Sequence, residues 1–254
     1  VNIGGVTVSH ASIHNFDEIN RLDVREGDTV DIKRAGDVIP QIISVNLDKR
    51  KKGSLKVSLP KRCPSCKNDL VRIEGEAILR CTAGLDCPAQ RIGSLIHFVS
   101  RNALNIDGLG ERIIELLVDK KLVLNFADLF RLDIKDIINL EGFGEKSATN
   151  LIKSIQASKD TNLSRFIYSL GIREVGEATA MNLALNFNNI SKFLAADEQD
   201  FLEINDIGPV ASNYIKEFLA SDENINLVKD LIALGVNPKE MEVKNDNPCT
   251  VSYT

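Results

Sequence analysis

Four of the five cysteines lie close together in the chain, and their spacing is typical of a metal site. They are arranged as Cys63-x2-Cys66-x14-Cys81-x5-Cys87. Two closely spaced pairs of thiolates can converge on one tetrahedral Zn²⁺. Four protein ligands leave no open coordination position, so we expect a structural zinc and not a catalytic one. Two disulfides or free thiols are the alternative, and the reducing compartment that we expect disfavours disulfides.

The remaining cysteine and the three histidines show no spacing typical of a catalytic group. Cys249 stands alone near the end of the chain, and we interpret it as an incidental thiol. His10 and His14 lie among small and β-type residues, and His97 follows an apolar pair. Covalent catalysis needs a nucleophile and a base within hydrogen-bond reach. We therefore expect no catalytic residue in this chain.

Four glycine turns recur in the second half of the chain at nearly constant spacing. Their second glycines are 34, 32 and 32 residues apart, and each follows an apolar residue and precedes a helix-forming run. A period of this size indicates a repeated helical unit. The four turns are Gly108-Leu109-Gly110, Gly142-Phe143-Gly144, Val175-Gly176 and Ile207-Gly208.

A glycine turn in front of a helix can bind an anion. We expect it to need backbone conformations that a Cβ would hinder, and to let a phosphate approach the N–H groups at the positive end of the helix. The alternative is that the glycines only cap helix C-termini in a bundle. The third and fourth turns carry Glu174 and Asp206 where the first two carry Gly108 and Gly142. We expect the acidic turns to contribute less to phosphate binding.

Charge is distributed unevenly along the chain. The 31 Lys and Arg against 36 Asp and Glu give a net charge of −5, which argues against a nucleic-acid partner only if the charge is spread evenly. Residues 33–62 hold nine basic and two acidic residues, whereas residues 197–254 hold four basic and twelve acidic ones. The basic stretch is a candidate for phosphate contact, or a solvated loop.

The apolar patterns divide the chain into a β-rich first part and a helical second part. Residues 1–58 show alternating, β-branched runs that favour a small barrel. Between them, Asn15-x-x-Glu18 resembles a capping box that opens a short helix. A hairpin with Gly75 at its turn is predicted between the cysteine pairs. Residues 91–240 show amphipathic helical spacing. No apolar run approaches 18 residues, and no secretory signal is visible at the first residues, so we expect no membrane partner.

Taken in order, these segments resemble the bacterial NAD⁺-dependent DNA ligases. The resemblance covers about residues 1–236 and rests on the cysteine spacing, the order of the segments and five further motifs. These are Gly5-Val6-Thr7-Val8-Ser9-His10-Ala11, Arg34-Ala35-Gly36-Asp37-Val38-Ile39-Pro40, His97-Phe98-Val99-Ser100-Arg101, Ile106-Asp107-Gly108-Leu109-Gly110 and Leu170-Gly171-Ile172-Arg173-Glu174-Val175-Gly176-Glu177.

The resemblance implies a multidomain chain with α and β parts. A small OB-type β-barrel, N-terminally truncated, is expected at 1–58, a four-cysteine zinc finger at 59–90, and an all-α domain of four helix-hairpin-helix repeats at 91–240. Residues 241–254 are expected to be a linker or the truncated start of a BRCT domain. The family adenylates a lysine in a Lys-x-Asp-Gly motif, and the one Asp-Gly here is preceded by Asn105 at the lysine position. We therefore expect this segment alone to be catalytically incompetent.

The resemblance also implies a function for the parent enzyme. The family seals nicks in duplex DNA during replication and repair, by lysine adenylation from NAD⁺, AMP transfer to the 5′-phosphate and attack by the 3′-hydroxyl. We expect NAD⁺ and Mg²⁺ to bind outside this segment. The expected partner is nicked double-stranded DNA of any sequence, bound by a monomer in the bacterial cytoplasm, at the nucleoid.

The resemblance assigns the DNA contacts to two regions. Arg34 is expected on a phosphate, with Val38 and Ile39 packed against deoxyribose at the nick. The hairpins are expected to grip the backbone on both strands. Their candidates are Gly108, Gly110, Gly142, Gly144, Gly176, Gly208, Lys146, Lys153 and Arg173.

Two other functions remain open from the sequence. One is a stand-alone, structure-selective DNA-binding protein without catalytic activity. The other is a zinc-dependent interaction module whose hairpins bind protein. Only the ligase interpretation predicts that joining is restored when an adenylation domain is supplied on a longer chain.

Overall fold

The computed structural model describes residues 1–3, 6–34, 39–72 and 78–240. Val38, the turn at Gly75, Cys249 and the whole of 241–254 lie outside these residues, as does the side chain of Arg34. The chain separates into two compact units at the peptide bond between Cys87 and Pro88. Each unit is described by itself below.

In its described residues, unit 1 contains three antiparallel strand pairs and one α-helix. The pairs are β1 (Asn2–Ile3) with β2 (Val6–Thr7), β3 (Val30–Arg34) with β4 (Pro40–Val45), and β5 (Leu70–Arg72) with β6 (Leu79–Cys81). The helix α1 is Phe16–Leu22, and short 3-10 helices are formed by Leu47–Lys49 and Gly84–Asp86. The β3–β4 pair is irregular between Asp31 and Ile32, where the register shifts.

The expected helix start at Asn15 is confirmed. The Asn15 side chain accepts a hydrogen bond of 3.0 Å from the backbone N–H of Glu18, which satisfies one of the free donors at the start of α1. The Glu18 carboxylate does not complete a capping box and instead accepts from the guanidinium of Arg21. The ion pair and the cap together stabilise a helix that has no fully buried residue.

A cluster of ion pairs fixes the loops of unit 1. The guanidinium of Arg50 donates to the carboxylate of Asp28 at 2.8 Å and to that of Asp23 at 2.6 Å. The Asp28 side chain is only 1% exposed. Arg25 also pairs with Asp23, at 3.0 Å. Arg50 belongs to the basic stretch 33–62, but its charge is used inside the unit, so it is not one of the cations that this stretch exposes.

Unit 2 is helical. Its helices are α2 (Pro88–Val99), α3 (Glu111–Asp119), α4 (Phe126–Arg131), α5 (Ile134–Ile138), α6 (Glu145–Ala157), α7 (Leu163–Ser169), α8 (Glu177–Phe187), α9 (Ile190–Ala195), α10 (Glu198–Leu202), α11 (Pro209–Leu219) and α12 (Asp222–Ala233). Two short parallel strands, β7 (Asp160–Asn162) and β8 (Asn237–Lys239), pair the end of the unit with its middle.

One continuous apolar core holds unit 2 together. It contains inward-facing residues of every helix from α2 to α12. The four phenylalanines among them that are at most 1% exposed are Phe98, Phe166, Phe193 and Phe201. Burial of such side chains is the main stabilising contribution in a helical domain. In the parts of the chain that the structure describes, no helix has the length and apolarity that a membrane crossing requires.

Candidate metal centre and nucleic-acid interface

The four clustered cysteines of unit 1 converge on one point. Their sulfur atoms all lie within 4.8 Å of one another. The Cys63 and Cys87 sulfurs are 3.9 Å apart, and those of Cys66 and Cys81 are 3.4 Å apart. Zn–S bonds of about 2.3 Å in a tetrahedron place sulfurs about 3.8 Å apart, whereas a disulfide needs about 2.05 Å. The four residues are therefore positioned to bind a metal, and the disulfide alternative is wrong for them.

Local backbone structure creates this convergence. The chain makes a tight knuckle from Cys63 to Lys67, in which Lys67 adopts φ +65° and its N–H donates to the carbonyl of Cys63 at 2.9 Å. Strand β6 ends at Cys81, and the 3-10 turn after it brings Cys87 back. Backbone N–H groups of Cys66 and Ser65 lower the pKa of the Cys63 thiol, which favours the thiolate that a metal binds.

Four helical hairpins in unit 2 contain the glycine turns. We call them hairpin 1 (α2 and α3), hairpin 2 (α5 and α6), hairpin 3 (α7 and α8) and hairpin 4 (α10 and α11). In each turn the N–H of the fourth residue donates to the carbonyl of the first. These bonds are Leu109 to Ile106 at 3.3 Å, Phe143 to Leu140 at 3.1 Å, Val175 to Ile172 at 3.1 Å and Ile207 to Ile204 at 3.2 Å.

The third residue of every turn adopts a left-handed conformation. Gly108 and Gly142 have φ +89° and +84°, and Glu174 and Asp206 have φ +60° and +66°. A turn closed in this way with a positive φ at its third residue favours glycine there. Hairpins 3 and 4 keep the same turn with residues that are strained in it, so the four repeats share one geometry despite the sequence difference.

The second glycine of each turn is the N-cap of the following helix. Gly110, Gly144, Gly176 and Gly208 have φ of −75°, −130°, −81° and −85°, which any residue can adopt. The expectation that a Cβ would hinder the backbone at these four positions is wrong, and so is the alternative that they are C-caps. A Cβ added at any of them meets nothing within 4 Å. What these glycines provide is open space in front of a helix N-terminus, where an anion can approach the free N–H groups.

The hairpins differ in the charge beside these N-termini. Lys146 is exposed at the second position of α6, and Lys153 is exposed two turns later. Arg112 is exposed at the matching position of α3, and aligning the turn glycines would have found it. The matching residues of hairpins 3 and 4 are Ala178 and Val210. At this second helix position, a cation is therefore present only in the two hairpins that have glycine at the left-handed position.

Arg173 has a different environment from the exposed lysines. Its guanidinium stacks on the ring of Tyr214 from α11, 4.4 Å from the centroid, and its side chain is 25% exposed. The Arg173 Nε atom lies 4.0 Å from a carboxylate oxygen of Glu174. Stacking of this kind stabilises the contact between the turn of hairpin 3 and the second helix of hairpin 4. Arg173 remains a candidate for phosphate contact, and it also packs the turn of hairpin 3 against Tyr214 of hairpin 4.

The nick-binding candidates of unit 1 lie around the connection of β3 to β4. Arg34 is the last residue of β3, and Ile39 lies directly before β4 with 61% of its surface exposed. Single exposed apolar side chains are common on protein surfaces, and this one is accessible to a ligand such as a sugar ring. Val38 lies outside the described residues.

Protein-family models match four segments of this chain. Residues 1–54 match the NAD-dependent DNA ligase OB-fold domain, and residues 62–89 match the NAD-dependent DNA ligase C4 zinc finger domain. Residues 100–157 match the SAM-like helix-hairpin-helix tandem, and residues 165–228 match the helix-hairpin-helix motif. The expected order of OB-fold, zinc finger and helical hairpins is confirmed.

Similar curated proteins cover nearly the whole chain. A DNA ligase of Saccharophagus degradans is 50% identical over 94% of this chain and 36% of its own length. A DNA ligase of Hahella chejuensis is 49% identical over 99% of this chain and 37% of its own. A DNA ligase of Legionella pneumophila is 47% identical over 98% of this chain and 37% of its own length. The chain thus spans little more than a third of the length of these relatives.

Proposed function

Because this chain carries the OB-fold, C4 zinc-finger and helix-hairpin-helix domains of the bacterial NAD-dependent DNA ligases, we propose that it is the part of such an enzyme that holds nicked DNA. The complete enzyme would join a 3′-hydroxyl to a 5′-phosphate in duplex DNA during replication and repair. NAD⁺ and Mg²⁺ would supply the adenylate and the charge neutralisation for joining, and both would bind outside this segment.

The observation that carries the proposal is the repeated opening in front of the hairpin helices. A Cβ at any of the four second glycines would meet no neighbour, so the space in front of each helix N-terminus is open. In hairpin 4 the first helical residue is Pro209, which has no N–H to donate. Free N–H donors at helix N-termini bind phosphate oxygens and read no base sequence. Gly108, Gly110, Gly142, Gly144, Gly176 and Gly208 would form the backbone contacts, and Lys146, Lys153 and Arg173 would add charge. Sequence-tolerant binding follows.

In unit 1 we assign Arg34, Val38 and Ile39 to the nick. Arg34 would bind a backbone phosphate, and Val38 and Ile39 would pack against deoxyribose in the minor groove. The exposure of Ile39 supports this assignment. Cys63, Cys66, Cys81 and Cys87 would hold one Zn²⁺, which fixes the fold of the finger and takes no part in joining.

A charge substitution at Gly144 tests the phosphate contact. We expect Gly144→Asp to keep or raise helix stability, because aspartate is a good N-cap and its Cβ meets no neighbour. The same change should weaken duplex binding about tenfold or more, because a carboxylate would occupy the phosphate position. Affinity by fluorescence anisotropy and melting by circular dichroism measure the two effects.

Gly144→Asn is the matched control, because asparagine caps equally well at nearly the same size without the charge. Its affinity should lie between those of the wild type and Gly144→Asp. Equal affinity of all three proteins would contradict phosphate binding at hairpin 2.

Nick recognition is tested by substrate choice and by reconstitution. We expect tighter binding to nicked duplex than to intact duplex of the same sequence, by a monomer, with affinity that falls steeply with salt. We also expect joining when an adenylation domain precedes this chain in one longer protein. DNA binding without restored joining would favour the stand-alone binding protein instead, and no binding at all would favour a protein-interaction module. Within the bacterial cytoplasm, we expect the protein at the nucleoid.

A further inference from the structure

The loop that leads from α2 into the turn of hairpin 1 is held by a residue of hairpin 3. We call residues 101–105 the 101–105 loop. Arg165 on α7 is half-buried, and its Nε donates to the carbonyl of Ala103 at 2.7 Å while its Nη2 donates to the carbonyl of Arg101. One planar guanidinium thus binds two carbonyls of a loop that is more than 60 residues away in sequence.

Two more contacts join the same hairpins. Asn102 in the loop donates to the carboxylate of Glu177 at 2.7 Å, and Glu177 is the first residue of α8, directly after the turn glycine of hairpin 3. On α2, the Nε2 atom of His97 lies 2.8 Å from the carbonyl oxygen of Tyr168 on α7, and the two rings pack edge to face at 4.7 Å. Hairpins 1 and 3 therefore contact each other through side chains, although they are far apart in the chain.

The loop also connects two clefts in the surface. One, of about 340 Å³, is lined by Glu177 of hairpin 3, and the other, of about 570 Å³, is lined by Gly110 and Glu111 of hairpin 1. Arg101 and Asn105 line both clefts. Arg101 is exposed. Its positive charge therefore lies between the N-terminal ends of α3 and α8.

We infer that Arg165 is a positioning residue that holds the 101–105 loop so that Arg101 and the helix N-termini of hairpins 1 and 3 bind the same DNA backbone. The inference rests on the proposed function. Arg101 makes the phosphate contact, and Arg165 acts through the loop, because its Nε and Nη2 atoms donate to the loop carbonyls. Without Arg165 the loop loses two hydrogen bonds, and Arg101 is no longer held in one position between the two hairpin N-termini.

Arg165→Lys separates positioning from charge. Lysine keeps the positive charge but cannot bind two carbonyls in the geometry of a planar fork. With the zinc-loaded 254-residue chain and a fluorescent duplex that spans the hairpins, we expect about a tenfold loss of affinity. We also expect the slope of log affinity against log salt to flatten by about one unit, because one phosphate contact is lost. Circular dichroism should show a melting temperature only a few degrees lower, well above the assay temperature.

A double-mutant cycle with Arg101→Gln shows whether the two arginines act together. Arg101→Gln alone should cause the same loss of affinity and the same flattening. The double variant should bind no more than about twofold weaker than Arg101→Gln, because Arg165 acts through the loop that presents Arg101. Asn102→Ala should weaken binding in the same direction, and it serves as the second variant if Arg165→Lys fails to fold. Lys229→Gln, which removes an exposed cation of α12, is the matched control and should leave the salt slope unchanged.

Two results would overturn the inference. One is wild-type affinity and salt slope in Arg165→Lys. The other is a double variant whose loss equals the product of the two single losses, as expected if each arginine acted independently. A wild-type chain that binds no duplex at all would overturn the proposed function as well, so the two failures are distinguishable.

Discussion

At the scale of single residues, the left-handed position of each hairpin turn shows how the repeat keeps its shape while its sequence changes. Glu174 and Asp206 have φ angles of +60° and +66° at this position, which glycine, as in Gly108 and Gly142, adopts without strain. A non-glycine residue in this region costs about 1 kcal/mol. Hairpins 3 and 4 therefore carry a small conformational cost together with a negative charge next to a helix N-terminus.

Glu174→Gly should remove both effects. We expect stabilisation by up to about 1 kcal/mol, because glycine adopts this conformation freely, although it also adds freedom to the unfolded chain. We also expect tighter DNA binding with a steeper salt dependence, because a carboxylate no longer repels phosphate. Chemical denaturation and anisotropy measure the two changes, and Asp206→Gly is the parallel case. Lower stability in both variants would show that the side chains make contacts worth more than the strain.

A second residue-scale prediction concerns acid. Hydrogen bonds from Arg50 and then from Arg25 hold the pKa of Asp23 at about 2, below the ordinary value of 3.8. Because the folded-state pKa is lowered, this contribution to stability is fully present above about pH 4 and is lost as the pH falls towards 2. The protection of unit 1 amides, relative to the intrinsic exchange rate at each pH, should fall over this range. The Asp23→Asn variant should be less stable than the wild type at pH 5, and its stability should depend less on pH. A variant with the pH profile of the wild type would contradict the role of the Asp23 ion pairs.

At the scale of elements, the finger and the helical unit differ in what holds them together. Within the described residues of the finger, the buried residues are Cys63 and Cys87, whereas unit 2 has its own apolar core. A segment without a core depends on bound metal for its fold. The ion pair between Arg72 of β5 and Asp17 of α1 connects the finger to the rest of unit 1.

Removal of zinc should therefore unfold one element and spare the other. With a strong chelator we expect release of one Zn²⁺ per chain and rapid amide exchange in residues 61–72 and 78–87, while the helical circular-dichroism signal stays nearly constant. Cys81→Ser should bind zinc far more weakly and show the same exchange pattern. Loss of the helical signal on chelation would contradict the independence of the helical core.

At the scale of the whole molecule, the repeats could be predicted from the sequence because the residues that define each one are neighbours in the chain. A glycine turn followed by a helix start spans few residues, so its period is visible without a structure. The roles of Arg50, Arg165 and Arg173 were not predictable in the same way. Their partners Asp23, Ala103 and Tyr214 lie 27, 62 and 41 residues away, and only folding brings them together.

The net charge of −5 is a second whole-molecule property, and in the folded protein it does not describe the local surface potential. Helix N-termini supply positive potential that a count of side chains omits. The basic stretch 33–62 loses Arg50 to an internal cluster but exposes Lys49, Lys51 and Lys52. Local potential at the surface, and not total charge, decides whether a polyanion can approach.

The short parallel pairing of β7 with β8 has a mechanical consequence. Lys239 at the end of β8 is bound to Asp160 at 2.6 Å, so the last described strand is fastened to the junction between hairpins 2 and 3. Tension applied to the chain beyond Glu240 would load this strand pair first. Such a pull would be resisted by the β7–β8 hydrogen bonds and the Lys239–Asp160 ion pair before it reached the hairpin turns.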